Sequence, residues 1–252
     1  MEQSTGGRRV AFFGGSFDPP HQGHLAVARV ARAALALDTV LFTPVGAQPL
    51  KPLGSTAGFE DRLAMTRLAI AGDPGFAVSL LDAPKPVATP NYTLDTLLQL
   101  DAGLPPDGML FCLMGADSFL GLRQWHRAAE IPFVAPLIVA SRPGQPLDDL
   151  RAALPEGLTM EPAAGSFVTG PHSATQNPVV SAIALRAFQL RNTTGQVSPF
   201  YLLPWLHIEI SASQIRQRLR EEALAASQVV ISGTPVLSEP VLDYIRSHRL
   251  YQ

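Results

Sequence analysis

Apolar residues along this 252-residue chain fall into short blocks separated by Gly- and Pro-rich breaks. Val10–Phe13 is a compact apolar run of strand length, and a Gly/Pro loop separates it from a helical pattern at about His24 to Leu35. Thr39–Thr43 predicts a second strand, ended by Pro44. Beyond a loop rich in Pro and Gly come a helix from about Phe59 to Ala71 and a strand at Phe76–Leu80. A helix over Thr93–Leu100 follows, with Asn91 or Thr93 available to cap it. Met109–Met114 and Leu137–Ser141 read as buried strands. Strands alternating with helices predict an α/β fold: a Rossmann-like, doubly wound parallel sheet of about five to six strands, with a C-terminal helical part.

The pattern loosens from Pro143 to Pro204, where small residues, Pro and Gly dominate and Val179–Leu190 is the helical candidate. This stretch, about 145–201, reads as an elaboration on a single domain covering 1–252. Regularity returns with a strand at Leu206–Ile210, a helix at Ser213–Glu222 and a last helix from about Pro240 to His248. Proline in the first turn is a favourable start for that helix.

Composition narrows the function classes. At 46% hydrophobic and 16% charged residues the chain buries a substantial core. A net charge of −2 without a run of one sign excludes the usual basic nucleic-acid surface. Met1–Arg9 lacks the apolar stretch of a secretory signal, and apolar runs such as Phe133–Ala140 are too short to cross a bilayer. A cytoplasmic protein with no nucleic-acid or membrane partner is expected. Cys112, the sole cysteine, lies in an apolar run, which points to a buried inert thiol and excludes an internal disulfide.

The chemistry concentrates after the first strand, in Gly14-Gly15-Ser16-Phe17-Asp18-Pro19-Pro20-His21-Gln22-Gly23-His24. Bare backbone at Gly14 and Gly15 lets an anion approach the N–H groups, and the helix that follows presents its positive end. His21 and His24 are three apart and share a face at the helix start, where two imidazoles can donate to phosphate oxygens. A His-x-x-His pair also suits zinc, but no third ligand stands at a familiar spacing, so no protein metal site is expected.

Gly14–Pro19 with His21-x-Gly23-His24 resembles the signature of the nucleotidyltransferase superfamily that carries the His-x-Gly-His motif. Later segments are similar to one branch of it, the bacterial nicotinate-nucleotide adenylyltransferases: Asn91-Tyr-Thr93-Leu-Asp-Thr-Leu97, Gly115-Ala-Asp117 followed by Trp125, Ile138–Gly144, Ile210–Arg216, and the ending from Val241 to Tyr251. The resemblance covers most of the chain except roughly Gln145–Tyr201. There are departures: Gln48-Pro49-Leu50-Lys51 stands where the family has Pro-Pro-His-Lys/Arg, and Ala212-Ser213 replaces Ser-Thr.

The resemblance implies ATP and nicotinate mononucleotide as substrates, with nicotinate adenine dinucleotide and pyrophosphate as products. The attacking phosphate is already ionised and pyrophosphate is a stable leaving group, so no general base is needed. Alignment of two polyanions supplies roughly 7–11 kcal/mol, and one preorganised donor roughly 2.7–4 kcal/mol. His24 is the expected donor to the α-phosphate, supported by His21, while Ser16 and the Gly14–Gly15 backbone hold the acceptor phosphate. Arg216, near a helix start with Ser211 and Ser213, suits the β- and γ-phosphates, and Lys51 reaches phosphate from its loop. Ile215 and Leu219 would face the core, leaving Arg216 and Arg220 on a neighbouring face. Gly115 and Asp117 lie where a carboxylate accepts from adenosine hydroxyls at the carboxyl edge of a sheet. Thr93 and Trp125 are implied at the pyridine ring. Asp18 either touches ligand or structures the Pro19–Pro20 turn. Mg2+ is expected on the ATP phosphates, keeping its waters, and a homo-oligomer is left open. The rival readings are a sibling transferase of the pantetheine-phosphate type, an enzyme preferring the nicotinamide mononucleotide, and a nucleotide-binding regulator without catalysis.

Overall fold

The computed structural model describes residues 7–51, 54–86, 89–141, 146–168, 185–203, 211–222, 230–231 and 234–252. The chain divides into two compact units, one of Met1–Phe13, Ala28–Leu41 and Tyr92–Leu206, the other of Gly14–Val27, Phe42–Asn91 and His207–Gln252. Strands β1 (Arg9–Gly15) and β2 (Thr39–Pro44) and helix α1 (Gln22–Ala34) run from one into the other.

The first unit is a sheet with helices packed on it. Strand β4 (Met109–Gly115) lies parallel to β1, β5 (Leu137–Ala140) parallel to β4, and β8 (Val197–Leu203) parallel to β5. Two antiparallel strands extend the edge, β7 (Leu185–Arg191) and β6 (Thr159–Val168), with a register shift between Pro162 and Phe167. Every residue from Leu110 to Met114 is buried, which is why this strand reads as an unbroken apolar run. Its Leu110, Cys112 and Met114 join Val10, Phe12, Leu137 and Val139 in one core, packed by Leu94 and Leu97 of α3 (Thr93–Ala102). Helices α4 (Ala116–Leu120), α5 (Ile131–Val134) and α6 (Leu147–Ala152) complete this unit. With β3 (Phe76–Val78) the sheet has eight strands in the order β3-β2-β1-β4-β5-β8-β7-β6.

The second unit holds α2 (Phe59–Ile70), α7 (Ala212–Glu222), α8 (Glu239–Ser247) and a small hairpin, β9 (Val230–Ile231) with β10 (Thr234–Pro235). Its core joins Met65, Ile215, Val236, Leu237, Val241, Leu242, Ile245 and Tyr251.

The α/β expectation stands, but the sheet has eight strands where five to six were expected. The difference lies in β6, β7 and β8, none of which was expected. Leu185–Leu190 was expected at the end of a helix and is strand, with Leu185, Phe188 and Leu190 inward and Arg186, Gln189 and Arg191 exposed. The turn of the β7–β8 hairpin is built by Asn192, whose side-chain oxygen accepts from the Thr194 and Gln196 amides, and by Gly195 at φ +84°. The rest of that helix, 179–184, and the strand expected at Leu206–Ile210 lie outside the described residues. Cys112 is buried as expected. Among the described residues no helix is long and apolar enough to cross a membrane.

Candidate functional site

The second unit gathers most of the residues singled out by the motif. Strand β1 delivers Gly14 and Gly15, and the chain turns at Phe17, whose φ of 47° is unusual for a residue with a side chain. The turn sends the Phe17 ring inward, edge-on to His24 with centroids 5.1 Å apart and 5.5 Å from Phe42. A side chain at Gly15 would stand 3.2 Å from that ring, so the backbone here is bare because the turn fills the space beneath it.

Helix α1 starts just after His21, whose carbonyl accepts from the His24 amide at 2.9 Å. The His24 imidazole answers reciprocally, its Nδ1 accepting from the His21 amide at 3.2 Å. An accepting Nδ1 carries no proton, so the neutral ring has its hydrogen on Nε2. The two imidazoles stack with centroids 3.7 Å apart, and among the described residues His21 Nδ1 has no hydrogen-bond partner. Burial holds both rings neutral: it takes His24 down to about 4, and lowers His21 well below its ordinary value with help from the adjacent His24.

These depressed values have a consequence for stability. The unfolded chain takes up protons below about pH 6.5 while the folded histidines refuse them until about pH 4 for His24. Stability is therefore full above pH 6.5 and falls as the pH drops through that window. His24 keeps part of its surface in solvent, which discounts the loss to about 1–2 kcal/mol. Denaturant titrations at pH 7 and pH 4.5 check it, and His21→Asn/His24→Asn should flatten the slope; an unchanged slope in that variant would contradict the assignment.

Cations stand around this turn. The Lys51 ammonium donates to Ser16 Oγ at 3.1 Å, and the same hydroxyl donates to Gln48 Oε1 at 3.3 Å. Leu50, which replaces the family's histidine, is half exposed. Arg216 of α7 donates through Nη1 to the Asp18 carbonyl at 2.6 Å and lies 3.8 Å from its carboxylate. Ile215 is buried, Leu219 packs beside it, and Arg220 is exposed, as the helical spacing requires. Ser211 caps α7 in a reciprocal box with Gln214, at 3.2 Å in each direction, so its hydroxyl is occupied by the helix start. Ser213 is exposed and accepts from Arg216 Nη2 at 3.4 Å.

Asp18 proves to be a buried anchor more than a turn-former: its oxygens accept from the Thr56 and Ala57 amides and the Tyr251 hydroxyl. Arg62, hidden on α2, holds the same region by donating to the carbonyls of Ser16, Val45 and Ala57. Sequence reasoning missed Arg62, Gln48 and the inward Phe17.

The first unit carries the other expected residues. Gly115 ends β4 and Asp117 sits exposed in the first turn of α4. A Cβ at Gly115 would meet nothing within 4 Å. Thr93 opens α3, while Trp125 packs against the core with one side partly exposed. The rings of Tyr92 and His126, their neighbours in sequence, lie tilted against each other with centroids 4.4 Å apart. Neither Asn91 nor Thr93 caps α3. Tyr92 occupies that place without a side-chain bond, and Asn91 is drawn to the Ala47 amide and the Ala83 carbonyl.

A family model described as cytidylyltransferase-like matches residues 12–218. The chain belongs to that family. Among its relatives, a "probable nicotinate-nucleotide adenylyltransferase" of Geobacter metallireducens is 33% identical over 96% of this chain and 98% of its own length. One of the same name from Gloeobacter violaceus is 44% identical over 58% of this chain and 69% of its own. Among solved structures, the Plasmodium falciparum nicotinic acid mononucleotide adenylyltransferase complexed with NaAD superposes with a TM-score of 0.62 over 97% of both chains, at 15% identity.

Proposed function

We infer that this chain is a nicotinate-nucleotide adenylyltransferase, transferring the adenylyl group of ATP to nicotinate mononucleotide in the biosynthesis of NAD. The observation that carries the reading is the stacked pair His21–His24, neutral at the mouth of α1, with Lys51 and Arg216 in the same unit. An oxygen of the mononucleotide phosphate bonds to the α-phosphorus of ATP while the bond to the bridging oxygen breaks, and pyrophosphate departs with that electron pair. No proton need move. His24 Nε2–H donates to the α-phosphate oxygen as charge gathers there, and His21 donates beside it. Ser16, Lys51 and the Gly14–Gly15 backbone hold the acceptor phosphate, and Arg216 with the α7 start holds the β- and γ-phosphates.

Thr93 and Trp125 take the pyridine ring, and Gly115 and Asp117 the adenosine. Among the described residues no group of three or more His, Cys, Asp or Glu side chains forms a metal cage. Mg2+ carried on the ATP phosphates would neutralise the departing pyrophosphate.

The test is pyrophosphate release from Mg-ATP with each mononucleotide in turn. Nicotinate mononucleotide should support turnover and nicotinamide mononucleotide much less. Equal rates would overturn the acceptor preference, and no turnover with either would overturn the activity.

A further inference from the structure

Asp18 is the buried hub of the second unit, only 4% exposed. Its Oδ1 accepts from the Ala57 amide at 3.0 Å and the Tyr251 hydroxyl at 2.8 Å. Its Oδ2 accepts from the Thr56 amide at 2.6 Å and lies 3.8 Å from Arg216 Nη1, beyond hydrogen-bond reach. A carboxylate offers about four acceptor positions. Three are filled by short bonds, and the fourth faces Arg216 at arm's length. Arg216 gives that nitrogen to the Asp18 carbonyl and Nη2 to Ser213, contacts that engage two of its five N–H donors.

Tyr251 is brought to this place at some cost. After α8 the chain folds back, the Leu250 amide bonding to the Ile245 carbonyl at 3.0 Å. Arg249 and Tyr251 adopt φ of 52° and 64°, a region that side-chain-bearing residues avoid. The ring ends 6% exposed among Ile215, Leu242 and Ile245. Burial, followed by the charge of Asp18 and the bond to it, raises the phenol far above its usual range, so the hydroxyl stays a donor. Apolar packing alone would be served by phenylalanine. The oxygen is there for Asp18.

We propose that Tyr251 is a positioning residue for Arg216: its hydroxyl satisfies Oδ1 of Asp18, so the carboxylate does not draw the guanidinium into a closed ion pair, and Arg216 stays available to the triphosphate. The proposal rests on adenylyl transfer through the contact it assigns to Arg216. Without the hydroxyl, Oδ1 keeps the Ala57 amide alone among the described residues, and the carboxylate's unmet demand falls on Arg216, 3.8 Å from Oδ2.

Pyrophosphate-release kinetics on the full chain test this. Tyr251→Phe should raise KM for ATP about tenfold, the worth of one hydrogen bond to a charged group, with KM for nicotinate mononucleotide unchanged. Val241→Ala, a core truncation on α8 that lowers the melting temperature at least as much, should leave both KM values alone. In an Arg216→Ala background Tyr251→Phe should add nothing further. A KM for ATP within about twofold of wild type, additive losses, an equal effect in Val241→Ala, or a Tyr251→Phe chain that does not fold would each overturn the proposal. A wild-type chain that binds ATP, seen as thermal stabilisation, but releases no pyrophosphate would instead overturn the transferase reading; the clasp would then be judged by whether Tyr251→Phe loses that stabilisation.

Discussion

His24→Ala should lower kcat by about 10²–10³-fold, the loss found when one preorganised donor to a developing oxyanion is removed. The melting temperature should move by no more than a few degrees. The two halves of this expectation come from one geometry. In the resting protein the His24 ring makes a capping bond through Nδ1 and an edge contact with Phe17, each a modest contribution. Its Nε2–H is committed by tautomer and not by any proton equilibrium near neutrality, since burial has taken the ring down to about 4. The ring is a neutral donor throughout neutrality, so its own titration should leave no step in kcat there in the wild type. The measurement is kcat at saturating ATP and mononucleotide beside a thermal melt. Activity within about fivefold of wild type would remove His24 from the transition state.

How much of this could be read in the residues depends on distance along the chain. Gly14 to His24 is one local segment, so strand, turn and helix start follow from connectivity, and the expectation of an anion site rests on the glycines and paired histidines within it. Arg216 lies 198 positions from Asp18. Nothing in the spacing or type of the two residues brings them together; the fold does. Asp18 left two readings open because a carboxylate beside prolines suits either. Its partners, Thr56, Ala57 and Tyr251, come from separate segments and two of the bonds are to backbone, which no residue pattern records.

The misread hairpin has a different cause. Leu185, Phe188 and Leu190 fit a helical face as well as a strand face over so short a run. The deciding signal was Asn192-Thr-Thr-Gly195, a turn that leads straight into Val197–Leu203. Such a turn between two apolar runs specifies a pair of antiparallel strands. Asn91 misled for a related reason: it has the chemistry of a helix cap, yet a backbone amide and carbonyl elsewhere in the unit compete for it and win.

Arg62→Met should cost about 3–5 kcal/mol of stability, the penalty of breaking a buried charge from its partners, seen as a fall of roughly 10 °C in melting temperature. Arginine in a helix is ordinarily a surface residue, and its long stem usually carries the charge to water. Here the side chain is 2% exposed and its guanidinium reaches three carbonyls, Ser16 at 2.6 Å, Val45 at 2.8 Å and Ala57 at 3.2 Å. Burial lowers its proton affinity, while Asp18 and then Tyr251 raise it again, so the cation is held by a nearby anion. Methionine fills the volume but leaves those three carbonyls and Asp18 without it. Lysine restores the charge and cannot reproduce the fork, so Arg62→Lys should recover less than half of the loss. Two of the carbonyls belong to the segments that carry Ser16 and follow β2, so the damage should also reach function. KM for nicotinate mononucleotide should rise in Arg62→Lys, where the fold survives, more than KM for ATP. Denaturant unfolding of the three proteins decides the matter: a methionine variant within about 1 kcal/mol of wild type would show that the carbonyls find water or one another, and that Arg62 is packing alone.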